Sequence, residues 1–172
     1  AQPAPNVTIG DDGKIYVLYQ DTVNEETNIF LKTSTDNGNS FSTPVQVNLL
    51  DGNVALDGRV APTIQLGDNG EVYVTWANSR HEPNMFMGNY RQLVFTQSFD
   101  DGKTFEPSTV IGSEELHSGK YFQHMSIDGY GGIHMAWLDG PAKMNATGYM
   151  EKDVSRDRGV RYTQSLDGGV TF

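Results

Sequence analysis

The sequence predicts an all-β fold, a β-propeller of four-stranded antiparallel blades with about three blades present, and two interleaved repeats predict it. The first is an octet of pattern Ser-x-Asp-x-Gly-x-(Ser/Thr)-Phe, found at Ser34–Phe41, Ser98–Phe105 and Ser165–Phe172, with starts 64 and 67 residues apart. The second matches Asp12–Tyr19 with Asn69–Trp76 and Tyr130–Trp137. Each copy of the second repeat is a short turn followed by a β-branched and aromatic run, the composition of a hairpin and its second strand.

Four strands, A to D, follow in each unit. Upstream of the second repeat, Pro5–Ile9, Pro62–Leu66 and Gln123–Ile127 alternate apolar with small or polar residues, as strand A. The second repeat supplies strand B. Asn28–Thr33, Arg91–Gln97 and Val160–Gln164 lie between the two repeats as strand C. After the first two octets come Thr43–Asn48 and Pro107–Ile111, read as strand D. No heptad or helical period occurs. The units span about 3–48, 60–112 and 122–172. A four-stranded unit of this size cannot bury both of its faces, so consecutive units stack around an axis. The third unit has no strand D, and three blades do not close a ring that usually takes roughly four to eight. Further blades, of the same polypeptide or of a neighbouring chain, are therefore expected as partners.

Composition narrows the classes of function. With 22 acidic and 12 basic residues in 172, the formal charge is −10, which repels phosphate backbones and argues against nucleic acid as a partner. No run of eighteen apolar residues exists, so membrane insertion by a helix is not expected. There are no cysteines, hence no disulfides and no thiolate chemistry. The opening Ala1–Pro5 has the polar character of a start left by signal-peptide removal, and Asn6 and Asn145 head N-x-T sequons. Both features lead to the expectation of a secreted, periplasmic or cell-surface protein.

The octet is a conformational device. An Asp carboxylate in a turn accepts hydrogen bonds from backbone N–H groups further along, and Gly takes left-handed dihedrals that a Cβ resists. Ser34, Asp36, Gly38 and Phe41, then Ser98, Asp100, Gly102 and Phe105, then Ser165, Asp167, Gly169 and Phe172 fill these roles, with each Phe expected to anchor strand D against its own blade. Three aspartates also invite a catalytic or calcium-binding role. Their recurrence in one repeated turn favours the structural one.

These octets resemble the Asp boxes, or BNR repeats, of sialidases and related propellers, with Phe where that family often has Trp. The likeness covers nearly the whole chain. It implies a sialidase-type glycoside hydrolase as one alternative, working through an arginine cluster on the substrate carboxylate, a Tyr–Glu nucleophile pair and an acidic proton donor. Arg59-Val60-Ala61-Pro62 falls just before a strand A, where the family places an arginine before a proline, although one extra residue intervenes here. No Tyr–Glu pair or acid is assignable by motif, so no catalytic residue beyond the candidate Arg59 is named.

Antiparallel alternation puts turns A–B and C–D on one face and loops B–C and D–A on the other. The B–C loops are expected at Thr22–Thr27, Ser79–Tyr90 and Gly140–Gly159, and the D–A segments at Leu49–Val60 and Gly112–Tyr121. Long loops on one rim of a rigid scaffold are the usual place for ligands. That rim collects Arg59, Arg80, His81, Glu82, Tyr90, Lys120 and Tyr121, with Asp139, Lys143 and Arg156 beside them. Arginines there could hold a carboxylate in bidentate fashion, and aromatic rings could stack on sugars. Exposed charges on loops are equally ordinary.

A second alternative is a copper-binding protein. His81, Met85 and Met87 share one loop, His117 lies in another, and thioether with imidazole suits Cu(I). Register removes other members of the set: Met125 and Met135 fall at core positions, His134 replaces Tyr16 and Tyr73 and is expected between blades, and His124 is expected near the axis. No Gly-x-Ser-x-Gly elbow and no phosphate-binding glycine loop occurs. The favoured expectation is a module that binds glycan or protein through the long-loop rim.

Overall fold

A computed structural model describes residues 5–49, 54–55, 61–80, 90–112, 118–141 and 159–172. Among the described residues, eleven strands form three antiparallel sheets. The first holds β1 (Asn6–Ile9), β2 (Ile15–Val23), β3 (Glu26–Ser34) and β4 (Val45–Gln46), in that spatial order. The second holds β5 (Thr63–Leu66), β6 (Val72–Arg80), β7 (Tyr90–Ser98) and β8 (Thr109–Ile111), again in order. The third holds β9 (Ser118–Ile127), β10 (Ile133–Pro141) and β11 (Gly159–Ser165). The repeats fix equivalent registers: Val7 faces Val17, Ile64 faces Val74 and Met125 faces Met135. The innermost strands β1, β5 and β9 neighbour one another in sequence order, as the inner strands of successive propeller blades do.

The A–B turns are copies of one another. Gly10 N–H donates to the Lys14 carbonyl, Gly67 N–H to that of Glu71 and Asp128 N–H to that of Gly132. Gly13, Gly70 and Gly131 all take φ between 82° and 88°, where a side chain is strained.

The hydrophobic material lies between blades. Alternate residues of each sheet point to opposite faces, so every blade has one face toward the blade before it and one toward the blade after it. One cluster joins Tyr16, Leu18, Ile29 and Leu31 of the first blade to Ile64, Val72, Val74, Trp76 and Phe105 of the second. The other joins Tyr73, Leu93, Phe95 and Ile111 of the second to Met125, Ile133, Met135 and Trp137 of the third. Met125 and Met135 are thus core residues.

The octets have the same internal bonding three times. Asp36 accepts from Ser34 Oγ, Ser40 N–H and Ser40 Oγ. Asp100 accepts from Ser98 Oγ, Thr104 N–H and Thr104 Oγ1. Asp167 accepts from Ser165 Oγ, Thr171 N–H and Thr171 Oγ1. In each, the serine Oγ also accepts from the glycine N–H four residues on. Asn37, Asp101 and Gly168 precede those glycines at φ of 57°, 67° and 69°.

The hydroxyl at the octet's seventh position is the main reason that Asp36, Asp100 and Asp167 are held at about 2 rather than the usual 3.8. Asp128 is held at about 2 chiefly by His134. A depressed folded-state value contributes stability above the unfolded value that is lost as pH falls through the folded one. The melting temperature should therefore hold down to about pH 4, then drop between 3.8 and 2; D100N should shrink that drop, as differential scanning calorimetry at stepped pH would show.

Several expectations need correction. The phenylalanines of the octets reach beyond their own blade. Phe105 is buried in the cluster shared with the first blade, and Phe172 meets Phe95 of the second blade edge-on at 5.1 Å. Phe41 is 45% exposed. The first B–C connection, expected as a loop over Thr22–Thr27, is a two-residue hairpin turn: Thr22 pairs with Thr27 and Val23 with Glu26, with Asn24 and Glu25 both at positive φ. The first strand D shrinks to Val45–Gln46, and a side chain continues its ladder, Asn48 Oδ1 accepting from Ile29 N–H. Strand A of the third blade starts at Ser118 rather than Gln123, because a bulge between Ala136 and Leu138, with Phe122 at φ 53°, lets pairing resume beyond it.

Candidate functional site

The rim opposite the octets is built from strand ends. The expected B–C loop from Ser79 narrows, since β6 runs through Arg80 and β7 begins at its partner Tyr90. Of the candidate residues, Arg59, His81, Glu82, Met85, Met87 and His117 lie outside the described residues, as do Lys143 and Arg156; Arg80 and Tyr90 are placed as facing strand ends only. The candidate copper ligands all fall in that outside set. Among the described residues, no group of three or more His, Asp or Glu is arranged to hold a metal.

Lys120 and Tyr121 lie on this rim in a strand, not on a loop. They belong to β9, where Lys120 pairs with Asp139 and Tyr121 with Leu138. Lys120 is only 3% exposed, so it is a packed cation rather than a free loop charge. In the second blade the matching segment is Val54–Ala55, which bridges to Asn78 and donates from Ala55 N–H to the Ala77 carbonyl. Lys120 thus stands where the preceding blade has Val54, and Tyr121 where it has Ala55.

Arg91, at the start of β7, was not singled out from the sequence. Its guanidinium lies 4.9 Å from the centre of the Tyr121 ring, in cation–π range, and the residue is 7% exposed. A buried arginine stacked across a blade interface is pre-organised in a way that a rim charge is not. Beside it, Asp139 is approached by Arg161 Nε at 3.5 Å.

Trp137 and Asp139 sit two apart on β10 and so share its face toward the second blade. The equivalent pair in the second blade is closed: Trp76 Nε1 donates to Asn78 Oδ1 at 2.6 Å. In the third, Trp137 Nε1 and Asp139 Oδ1 are buried and have no hydrogen-bond partner among the described residues. A donor and an acceptor left open side by side need a polar occupant, because burial without one costs about 1–3 kcal/mol each.

His134 holds the register position of Tyr16 and Tyr73, on the sheet face turned away from the second blade. It is partly exposed, with Nε2 2.9 Å from Asp128 Oδ2 and Nδ1 2.7 Å from the Tyr162 hydroxyl, and its ring stacks on Tyr162. His124 is exposed on β9 beside buried Gln123, whose amide donates to the Ala61 carbonyl of the preceding segment.

The octet face carries a cleft of about 520 Å³ between the first two A–B turns, lined among others by Asp11, Asp12, Asp68, Glu71 and Asp101. Its walls are acidic, so anionic sugars are repelled there. Asp101 is committed to another role. It accepts hydrogen bonds from Lys14 Nζ and the Tyr16 hydroxyl of the preceding blade. Burial works against its ionisation, yet the Lys14 and Tyr16 bonds leave its carboxyl below the ordinary range. The same contact, after burial itself, raises the Tyr16 phenol far above its usual value.

No protein family and no curated protein matches the chain in sequence. Solved structures do match in shape. One is the alpha-L-arabinanase of Penicillium chrysogenum complexed with arabinobiose, at TM-score 0.60 and 15% identity over 95% of this chain and 46% of that one. Another is a PL25 ulvan lyase, a polysaccharide lyase, at TM-score 0.63 and 14% identity over 95% of this chain and 41% of that one. A third is the GH93 alpha-L-arabinofuranosidase of Fusarium graminearum with arabinobiose, at TM-score 0.59 and 14% identity over 96% and 46%. The likeness is one of fold, a β-propeller, and this chain spans less than half the length of each.

Proposed function

We propose that the chain is part of a sialidase-like Asp-box propeller and that it binds glycan through the rim formed by the ends of β7, β9 and β10. The observation that carries this reading is the open donor and acceptor at Trp137 and Asp139, flanked by Tyr121 stacked on Arg91 and by Lys120. Aromatic face, indole N–H, carboxylate and cations are the groups that take a sugar ring's apolar face and hydroxyls. The match in shape to propellers whose names are arabinanase, arabinofuranosidase and ulvan lyase supports a carbohydrate ligand. The basic groups on this rim of an otherwise acidic chain favour a sugar carrying a carboxylate or sulfate. Export from the cytoplasm fits the same role.

Titration calorimetry against arabinobiose, a uronate-containing oligosaccharide and sialyllactose tests it. Binding of at least one is expected, weakened about tenfold or more by D139N, since one charge-assisted hydrogen bond is worth roughly 1.5–3 kcal/mol. Lack of heat with all three, or binding that D139N leaves intact, refutes the rim as the glycan site.

A further inference from the structure

The tripeptide Asp-Asn-Gly occurs twice, at Asp36-Asn37-Gly38 in the first octet and at Asp68-Asn69-Gly70 in the second A–B turn. Asparagine before glycine is chemically labile in water, because a nitrogen with no Cβ beside it reaches the side-chain amide unhindered. The same three residues stand at both places, so their intrinsic reactivity is alike and the fold decides between them. Both asparagines are exposed, so water reaches each.

The attacking nitrogen is held at one place and not at the other. Gly38 N–H donates to Ser34 Oγ at 2.9 Å, and Asn37 is fixed at φ 57°. The nitrogens that correspond to Gly70 in the other two A–B turns are held as well. Gly13 N–H donates to the Gly10 carbonyl at 2.9 Å and Gly131 N–H to the Asp128 carbonyl at 3.1 Å. Gly70 N–H has no hydrogen-bond partner among the described residues. Asn69 itself is bonded to Glu71, its N–H donating to Oε2 at 2.8 Å and its Nδ2 to Oε1 at 3.4 Å. Neither bond engages the Gly70 nitrogen.

We propose that Asn69 is a site of spontaneous deamidation, and that the isoaspartate formed there loosens the contact between the first two blades. The Gly70 nitrogen gives its proton to solvent base and attacks Asn69 Cγ. The Cγ–Nδ2 bond then breaks, and Nδ2 takes a proton and leaves as ammonia. Water opens the resulting cyclic imide at either carbonyl, to aspartate or to isoaspartate, and the second product lengthens the main chain by one methylene. That methylene falls directly before Gly70, whose carbonyl accepts from Asp101 N–H at 3.2 Å. Asp101 in turn holds Lys14 and Tyr16 of the preceding blade. Shifting the Gly70 carbonyl therefore slackens a clasp that joins two sheets.

Peptide mapping by mass spectrometry, with isoaspartyl methyltransferase labelling, tests this on protein held in mildly alkaline buffer. Asn69 should deamidate about fivefold or more faster than Asn37, the ratio that one hydrogen bond on the attacking nitrogen is worth. In urea the two rates should converge, since only the fold separates them. The aged wild-type protein should melt at a lower temperature than the fresh one, and N69S should hold its melting temperature through the same incubation. Equal rates in the folded protein, a faster Asn37, or a ratio that persists in urea would overturn the assignment of the site. A melting temperature that stays constant in the wild type, or falls equally in N69S, would overturn the loosened clasp.

Discussion

G102A should destabilise the protein far more than G13A, although both glycines have φ near 80°. Each substitution incurs the left-handed cost of roughly 1–2 kcal/mol for a residue with a Cβ. At Gly13 that is all, since an added Cβ would meet nothing within 4 Å. At Gly102 the new atom would lie 2.5 Å from Leu31 Cδ2. Leu31 is 1% exposed and packed on every side, so it cannot swing away without opening the contact between the first two blades. Overpacking adds about 1–3 kcal/mol, and G102A should cost about 2–5 kcal/mol in all. Urea unfolding of the two variants measures the difference; equal midpoints would show that the octet does not press on its neighbour.

W76A should be the most damaging single change. Trp76 is 1% exposed, lies in the cluster shared by the first two blades and donates to Asn78. Removing a buried indole costs about 3–5 kcal/mol, a large share of a total of roughly 5–15 kcal/mol. It also leaves Asn78 Oδ1 without that donor. A fall in melting temperature of about 10 °C or more is expected, read by the loss of strand signal on heating. W76F, which restores volume without the N–H, should recover part of the loss.

What the sequence made legible was whatever is written locally. Asp36, Asp100 and Asp167 form their turns from bonds within five residues, so a repeated octet reports them directly. Strand alternation gave Met125 and Met135 to the core for the same reason. The misreadings arose where a neighbouring blade decides the outcome. Nothing within Ser98–Phe105 says that its phenylalanine seats on the blade before it. The bulge at Phe122 carries Lys120 into a ladder, and only its register against Asp139 shows that it is packed. Asn24 did carry a signal for a tight turn, since asparagine tolerates positive φ, and it was legible in principle. Arg91 gains its significance from Tyr121, thirty residues on in another sheet, and no local pattern connects them.

The seating of each octet on the preceding sheet gives the polypeptide a direction of assembly. A sheet completed early offers a finished platform, and the hairpin that emerges next from the ribosome lands on it, with Gly102 then Gly169 arriving at surfaces already in place. Stability of this kind accumulates by nearest-neighbour steps, and each step can be taken during translation without waiting for distant chain.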